Sequence, residues 1–330
     1  MSHTYAKAKA RVFLSAAIMS ITGCATVNVP MTVEHPAEIN MTPYKQIAIG
    51  EFRGNQGDKF ASQLKNDLDA SGGGFQMVDR SRLNQIMKEL HLSQSDLVNE
   101  KKRIKLGKFL SAAALITGSN EGSYAEQVTF EDTKCITDKA TVVQCRRYTR
   151  SGVWNTSGSV DVIDVQTGQI IKSKVLDARC VSSTEATNSQ PGPIDRFALE
   201  QECVQRNVST IRKAISPWQE TVQAAFETDK AIPELEAGIA QCKIGEMQEG
   251  IKLFNQGAQA AEGNAAVDRK SVATAYWDLG LAYEYTDDFD RALDSVKKAY
   301  SFDTSDTYAS EIAKIKRRTK ERTKLKEQGL

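Results

Sequence analysis

The residues with the sharpest chemistry in this chain of 330 are six cysteines and three histidines. Cys24 closes the stretch Ile21-Thr22-Gly23-Cys24, which follows a basic start (Lys7, Lys9, Arg11) and an apolar run from Val12 to Ile21. That order is a bacterial secretory signal, with small residues before the cut. The run is about half the ~20 residues a membrane-spanning helix needs. A thiol at the cut can act as a nucleophile. Export places the other cysteines in an oxidising compartment. Cys135, Cys145, Cys180 and Cys203 allow three pairings. The pairs 135–145 and 180–203 are favoured because each closes a local loop, with free thiols as the alternative; Cys242 is left over. Neither a C-x-x-C nor a nearby histidine accompanies them, so a zinc site lacks ligands. His3 and His35 fall in the first forty residues, and His91 reads as a surface residue. No nucleophile elbow, metal motif or nucleotide fingerprint is present. The expectation is a chain without metal or cofactor, and not an enzyme.

An aliphatic residue, two small residues and Cys resembles the lipobox of bacterial lipoproteins. The resemblance implies that Cys24 takes a diacylglyceryl group and becomes the first residue after cleavage. Each buried CH₂ of an acyl chain contributes ~0.8 kcal/mol to membrane binding. Ala25, where Asp would retain the protein elsewhere, resembles lipoproteins sorted to the outer membrane and facing the periplasm.

The elements that must position any partner site come next. Residues 24–43 carry Pro30, Pro36 and Pro43 among polar residues and read as a flexible tether after a 1–23 signal peptide. Residues 44–227 read as one domain. Lys45–Arg53 alternates as a strand. Phe60, Leu64 and Leu68 share a helix stripe, which the glycines 72–74 stop. Phe75–Val78 is a strand, Leu83, Ile86, Met87 and Leu90 form a second stripe, and Ala113–Ser119 is a buried strand. The run Val160–Ile171 holds two strands around Gly168, a residue free to take positive φ in a tight turn. Residues 196–227 read as two helices, the first with Phe197, Val204, Val208 and Ile211 on one face. The second opens at Pro217, with Trp218, Val222 and Phe226 at spacing four.

This order, with "FQMVDRSRLNQIMKEL", "GKFLSAAALITGS" and "VDVIDVQTGQIIKS", resembles the periplasmic domain of the curli secretion channel family, CsgG. It is also similar to lipoprotein activators of peptidoglycan synthases. The resemblance implies an α/β (α+β) domain with a mixed sheet and flanking helices, and a possible homo-oligomer through it. In the channel family two segments become membrane hairpins. Their counterparts here, 121–150 and 177–206, are crowded with charge or polar and Pro/Gly-bearing, and read as loops.

After a linker at 228–233, Tyr276, Leu279, Gly280, Tyr283, Phe289, Ala292, Val296 and Ala299 resemble a tetratricopeptide repeat (TPR). Small residues stand where two antiparallel helices cross. A weaker copy runs through Gly238, Met247, Gly250, Phe254 and Gly257, spaced more widely than the usual ~34 residues. Two repeats over 234–305 need a cap, and residues 306–330 supply a helix with Ile312 and Ile315 inward and a basic face outward. A net charge of +1 gives no reason to expect nucleic acid. The expected function is a lipid-anchored periplasmic adaptor. It would hold an envelope protein in an all-α TPR groove lined by Gln241, Lys243, Asp278 and Tyr285. A CsgG-like secretion channel subunit or a peptidoglycan synthase activator is the alternative.

Overall fold

The computed structural model describes residues 25–70, 76–78, 80–110, 113–136 and 140–329. The signal, Cys24 and the glycine run at 72–74 lie outside them. The elements, in order, are β1 (Ala25–His35), β2 (Gln46–Arg53), α1 (Gly57–Ala70), β3 (Gln76–Val78) and α2 (Arg80–Glu89). Then come α3 (Glu100–Gly107), β4 (Ala113–Ile136), β5 (Val142–Asp164), β6 (Ile170–Leu176), β7 (Arg179–Thr187), α4 (Arg196–Ile215) and β8 (Trp218–Thr228). Helices α5 (Pro233–Lys243), α6 (Met247–Gly263), α7 (Arg269–Glu284), α8 (Phe289–Phe302) and α9 (Asp306–Glu327) complete the chain. The described residues divide into two compact units, those of 34–220 with 320–329, and those of 25–33 with 221–319.

The first of these is a three-layer α/β unit. A six-stranded mixed sheet runs β3-β2-β4-β5-β6, with β7 also on β5. β2 is parallel to β3 and β4, and the other pairs are antiparallel. Alternation sends Ile47, Ile49, Ile116, Val160 and Val162 to one face, where Phe60, Leu64 and Leu68 of α1 meet Val204, Val208 and Ile211 of α4. Ala48, Leu115 and Ile163 point the other way, against Leu83 and Met87 of α2 and Leu106 of α3. Helices α1 and α2 thus bury the stripes that their spacing predicts, and α4 buries Val204, Val208 and Ile211 of its own. Asp195 caps α4 by accepting the Ala198 N–H at 2.9 Å. Phe197, expected on the inner face, is instead exposed with the Lys59 ammonium 4.8 Å from its ring centre. Gly168 turns β5 into β6 at φ +72°, and Asp164 Oδ1 accepts the N–H groups of Gln166 and Thr167.

The segment 121–150 corrects the loop reading. It is a continuous ladder from Ala114↔Asp164 to Ile136↔Val142, and β7 adds a third strand beside Arg147–Asn155. The charges that argued against strands sit opposite their complements: Glu131 faces Arg147, Asp132 faces Arg146, and both pairs are ion-paired. Such cross-strand pairs support a sheet. Cys135 is bonded to Cys145 across the ladder, and Cys180 of β7 to Cys203 of α4.

The second unit holds β1, β8 and two helical hairpins. Residues 25–35, expected as a tether, form an 11-residue strand paired with β8. Val29 is buried in the helical core, with Val27 and Met31 packed against it. Pro30 points outward. Residues 218–228, expected as a helix, are the strand β8. In the hairpins, α5 packs on α6 and α7 on α8. A Cβ on Gly280 would meet Val296 Cγ2 at 2.5 Å, so glycine is what lets α7 and α8 approach. Helix α9 lays Tyr308, Ile312 and Ile315 on the same core.

Candidate functional site

The expected partner face is that of α5 and α7. Tyr276, Leu279, Gly280, Tyr283, Ala292 and Ala299 are buried, as packing positions must be. Tyr276 stacks on Phe302 at 6.1 Å and donates to Glu262 at 2.6 Å. Of the four candidate contact residues, Lys243 is exposed and Gln241 half-buried. Tyr285 is likewise half-buried, and Asp278 is not available.

Asp278 is 0 % exposed. Its Oδ1 accepts the backbone N–H of Glu227 at 2.9 Å. One residue earlier, Trp277 Nε1 donates to the carbonyl of Ala225 at 3.2 Å. Between them Phe226, also 0 % exposed, stacks on Phe254 of α6 at 5.5 Å and 12°. Ser271 Oγ donates to Asp229 at 2.6 Å. An extended stretch, residues 225–229, therefore lies on α7, gripped at its backbone on both sides of one aromatic anchor. The chain's own strand covers the Asp278 part of the surface that was expected to receive a peptide. A cleft of about 640 Å³ remains open beside it, bordered by Glu227, Lys230, Lys270, Asp303 and Tyr308.

Tyr285 is drawn into an ion cluster. Arg318 Nη1 lies 2.7 Å from Glu284 Oε1, and Lys314 Nζ is 3.4 Å from the same oxygen and 2.8 Å from Glu311. The Lys314 and Arg318 cations sit near the Tyr285 ring. The basic face expected on α9 is thus partly consumed by buried carboxylates. Burial, and then the shared hydrogen bond and charge of Glu284, push the Glu311 carboxyl up to about 7. Glu284 itself is held down: burial works against it, but the Glu311 hydrogen bond and the two cations outweigh that. Burial raises Asp278 well above the ordinary carboxylate range. It also pushes the buried Cys242 thiol up to about 12, with the Asp278 charge adding to the effect.

Asp278 and Glu311 bind protons more tightly folded than unfolded, so between pH 5 and 7 the folded state holds more protons and stability falls as pH rises. Thermal unfolding midpoints should drop across that window. Asp278→Asn keeps an acceptor for the Glu227 N–H and removes one titration. It should therefore gain on the parent protein as pH rises from 5 to 7.5, and a constant difference would contradict the assignment.

The second exposed surface is the projection of β4, β5 and β7. Phe130 is 61 % and Ile136 76 % exposed, and Val128, Val142 and Val143 are also open. The Arg146 guanidinium lies 4.5 Å from the Phe130 ring centre. Near its base, Arg150 pairs with Glu126, and the Arg196 guanidinium lies 4.5 Å from the Tyr124 ring centre. Among the described residues no group of three or more His, Cys, Asp or Glu side chains is placed to hold a metal. Nor is any described helix long and apolar enough to cross a membrane.

Residues 22–127 match the family model for the curli production assembly/transport component CsgG. The CsgG-like match takes in β1 to β3, α1 to α3 and much of β4, so it begins before the sheet unit and stops inside the projection. Among solved structures, the chain is similar to the LpoB C-terminal domain from Salmonella enterica. That likeness has 20% identity, covers 41% of this chain and 82% of that one, and has a TM-score of 0.26. Another is lipoprotein GNA1162 from Neisseria meningitidis, at 12% identity over 50% of this chain and 96% of that one, TM-score 0.25. No curated protein sequence matches the chain.

Sequence reasoning missed that Phe226 anchors a strand and that Trp277 holds it. A signal was present: Val222, Ala224 and Phe226 recur at spacing two, the period of a strand.

Proposed function

We propose that this chain is a lipid-anchored adaptor of the bacterial envelope, placed in the outer membrane and facing the periplasm, which binds partner proteins and performs no catalysis. The observation that carries the reading is the projection: a disulfide-bridged hairpin that holds Phe130, Ile136 and Val142 away from any core. The CsgG family match on residues 22–127 supports the envelope setting. The helical hairpins are taken as TPR-like. Because β8 covers Asp278, the partner contact on that unit is moved to the open side at Gln241 and Lys243.

Photo-crosslinking amino acids at Phe130 and Lys243, introduced singly in cells, test this. Adducts with defined envelope proteins from either position support an adaptor and assign its surface. Failure of both positions to form an adduct sinks the proposal. Cys24→Ser should move the protein from the membrane to the soluble fraction.

A second reading, a channel subunit, is favoured by one observation. The ladder from Glu121 to Ile136 exceeds the ~9–11 residues a membrane strand needs. Against it, Glu126, Asp132 and Lys134 share a face with Val128 and Phe130. Conductance across lipid bilayers by the purified lipoprotein would select the channel. Stimulation of a purified peptidoglycan synthase would select the activator reading within the adaptor class.

A further inference from the structure

Strand β1 begins at Ala25, immediately after the cysteine proposed to carry the lipid. The Cα atoms of adjacent residues are 3.80 Å apart. Ala25 is already built into the second unit: its carbonyl accepts the Thr228 hydroxyl at 3.2 Å. Four residues on, Val29 is buried in the helical core. No leash separates the anchor from folded protein.

The position of Ala25 within the helical unit is defined by its neighbours. Thr228 precedes the turn 229–232, which leads into α5. Asp229 accepts from Ser271 in the first turn of α7. Asp268 precedes that helix as its N-cap, so the α6–α7 connection lies at the same end. Arg269 donates to the carbonyls of Ser301 and Phe302, which brings the α8–α9 connection there too. The opposite end carries the turns after α5 and α7. Those helices have 11 and 16 residues, about 16 and 24 Å at ~1.5 Å per residue. The unit therefore has a near end at 25, 229–232 and 264–268, and a far end at 244–246 and 285–288.

We infer that the near end of the helical unit lies against the bilayer that holds the lipid of Cys24, because no slack is present to lift it away. The inference rests on the lipid-anchored reading above. Charge does not do the docking. The cleft at this end presents Glu227, Asp229, Asp268 and Asp303 against Lys230 and Lys270, an excess of acid that anionic headgroups would not attract. The partner is the bilayer surface itself, approached because of the anchor, and the far end is the part of this unit presented away from it.

The test uses the full lipidated protein in phosphatidylcholine vesicles with a nitroxide quencher on the headgroup. A dye is placed on Ala266 at the near end or on Ile244, 71 % exposed, at the far end. Mass spectrometry of the Cys24 peptide is run on the same sample. With Cys24 acylated, quenching at Ala266 should exceed that at Ile244 several-fold. A flexible Gly/Ser insert of ~20 residues between Cys24 and Ala25, with a mean span of roughly 25 Å, should bring the two close together. Equal quenching in the parent protein with Cys24 acylated would overturn the inference and leave the anchor standing. An unacylated Cys24 would overturn both.

Discussion

Phe226→Ala should destabilise the helical unit by about 3–5 kcal/mol, the usual cost of truncating a buried phenylalanine. Its ring is fully buried and stacked on Phe254. It is also the anchor between two backbone grips, Trp277 on Ala225 and Asp278 on Glu227. Losing the ring weakens the hold on both. Leaving Asp278 with an unmade hydrogen bond in a dry site adds to the cost. The effect should be regional. Hydrogen exchange should quicken in α5–α9 and leave the amides of β2 and α1 as they were. If exchange quickens in β2 and α1 instead, Phe226 belongs to the sheet core and its place in the helical unit is wrong. Urea unfolding followed by far-UV dichroism gives the magnitude, and a loss under 1 kcal/mol would contradict the burial.

The same segment shows what the sequence could and could not reveal. Trp218, Val222 and Phe226 at spacing four read as a helix stripe, but four is also a multiple of two. Ala224, buried between them, breaks the tie in favour of a strand. The tether reading failed for a related reason. Pro30, Pro36 and Pro43 drew attention from Val27, Val29, Met31 and Val33, which alternate cleanly. Proline is tolerated where its missing N–H faces away from the ladder, as on an edge strand. The hairpin was hidden by its charge. Only register reveals that Glu131 and Asp132 sit opposite Arg147 and Arg146, and register depends on where the chain turns. By contrast, the stripes of α1 and α2, the Gly168 turn and the crossing at Gly280 were legible. Each depends on neighbours close in sequence. What escaped was long-range: β1 meets β8 across nearly two hundred residues, and burial of Asp278 is decided by a strand that no local pattern links to α7.

Removing the Cys180–Cys203 bridge should cost about 3–4 kcal/mol, from the loop-closure entropy returned to the unfolded chain. The bond ties β7 to α4, and both sulfurs are buried beside Ile194, Leu199, Tyr124 and Trp154. The double variant Cys180→Ala/Cys203→Ala should therefore lower the unfolding midpoint of the sheet unit as a whole. The Cys135–Cys145 bridge closes a shorter loop, which by the same entropy would be worth nearly as much. Its position makes the outcome different. The end of the projection has exposed apolar side chains and lies outside the buried clusters, so without the bridge it can open locally while the sheet unit stays folded. Cys135→Ser/Cys145→Ser should speed amide exchange from Phe130 to Arg147 and leave the global midpoint nearly in place. If instead the two double variants lower the midpoint equally, the projection unfolds together with the sheet and is part of one cooperative unit. A rigid arm of that kind would hold Phe130 and Ile136 at a fixed position even on loss of the bridge. Comparing the two variants therefore decides whether the disulfide at the end of the hairpin is what keeps the exposed apolar residues in place for a partner.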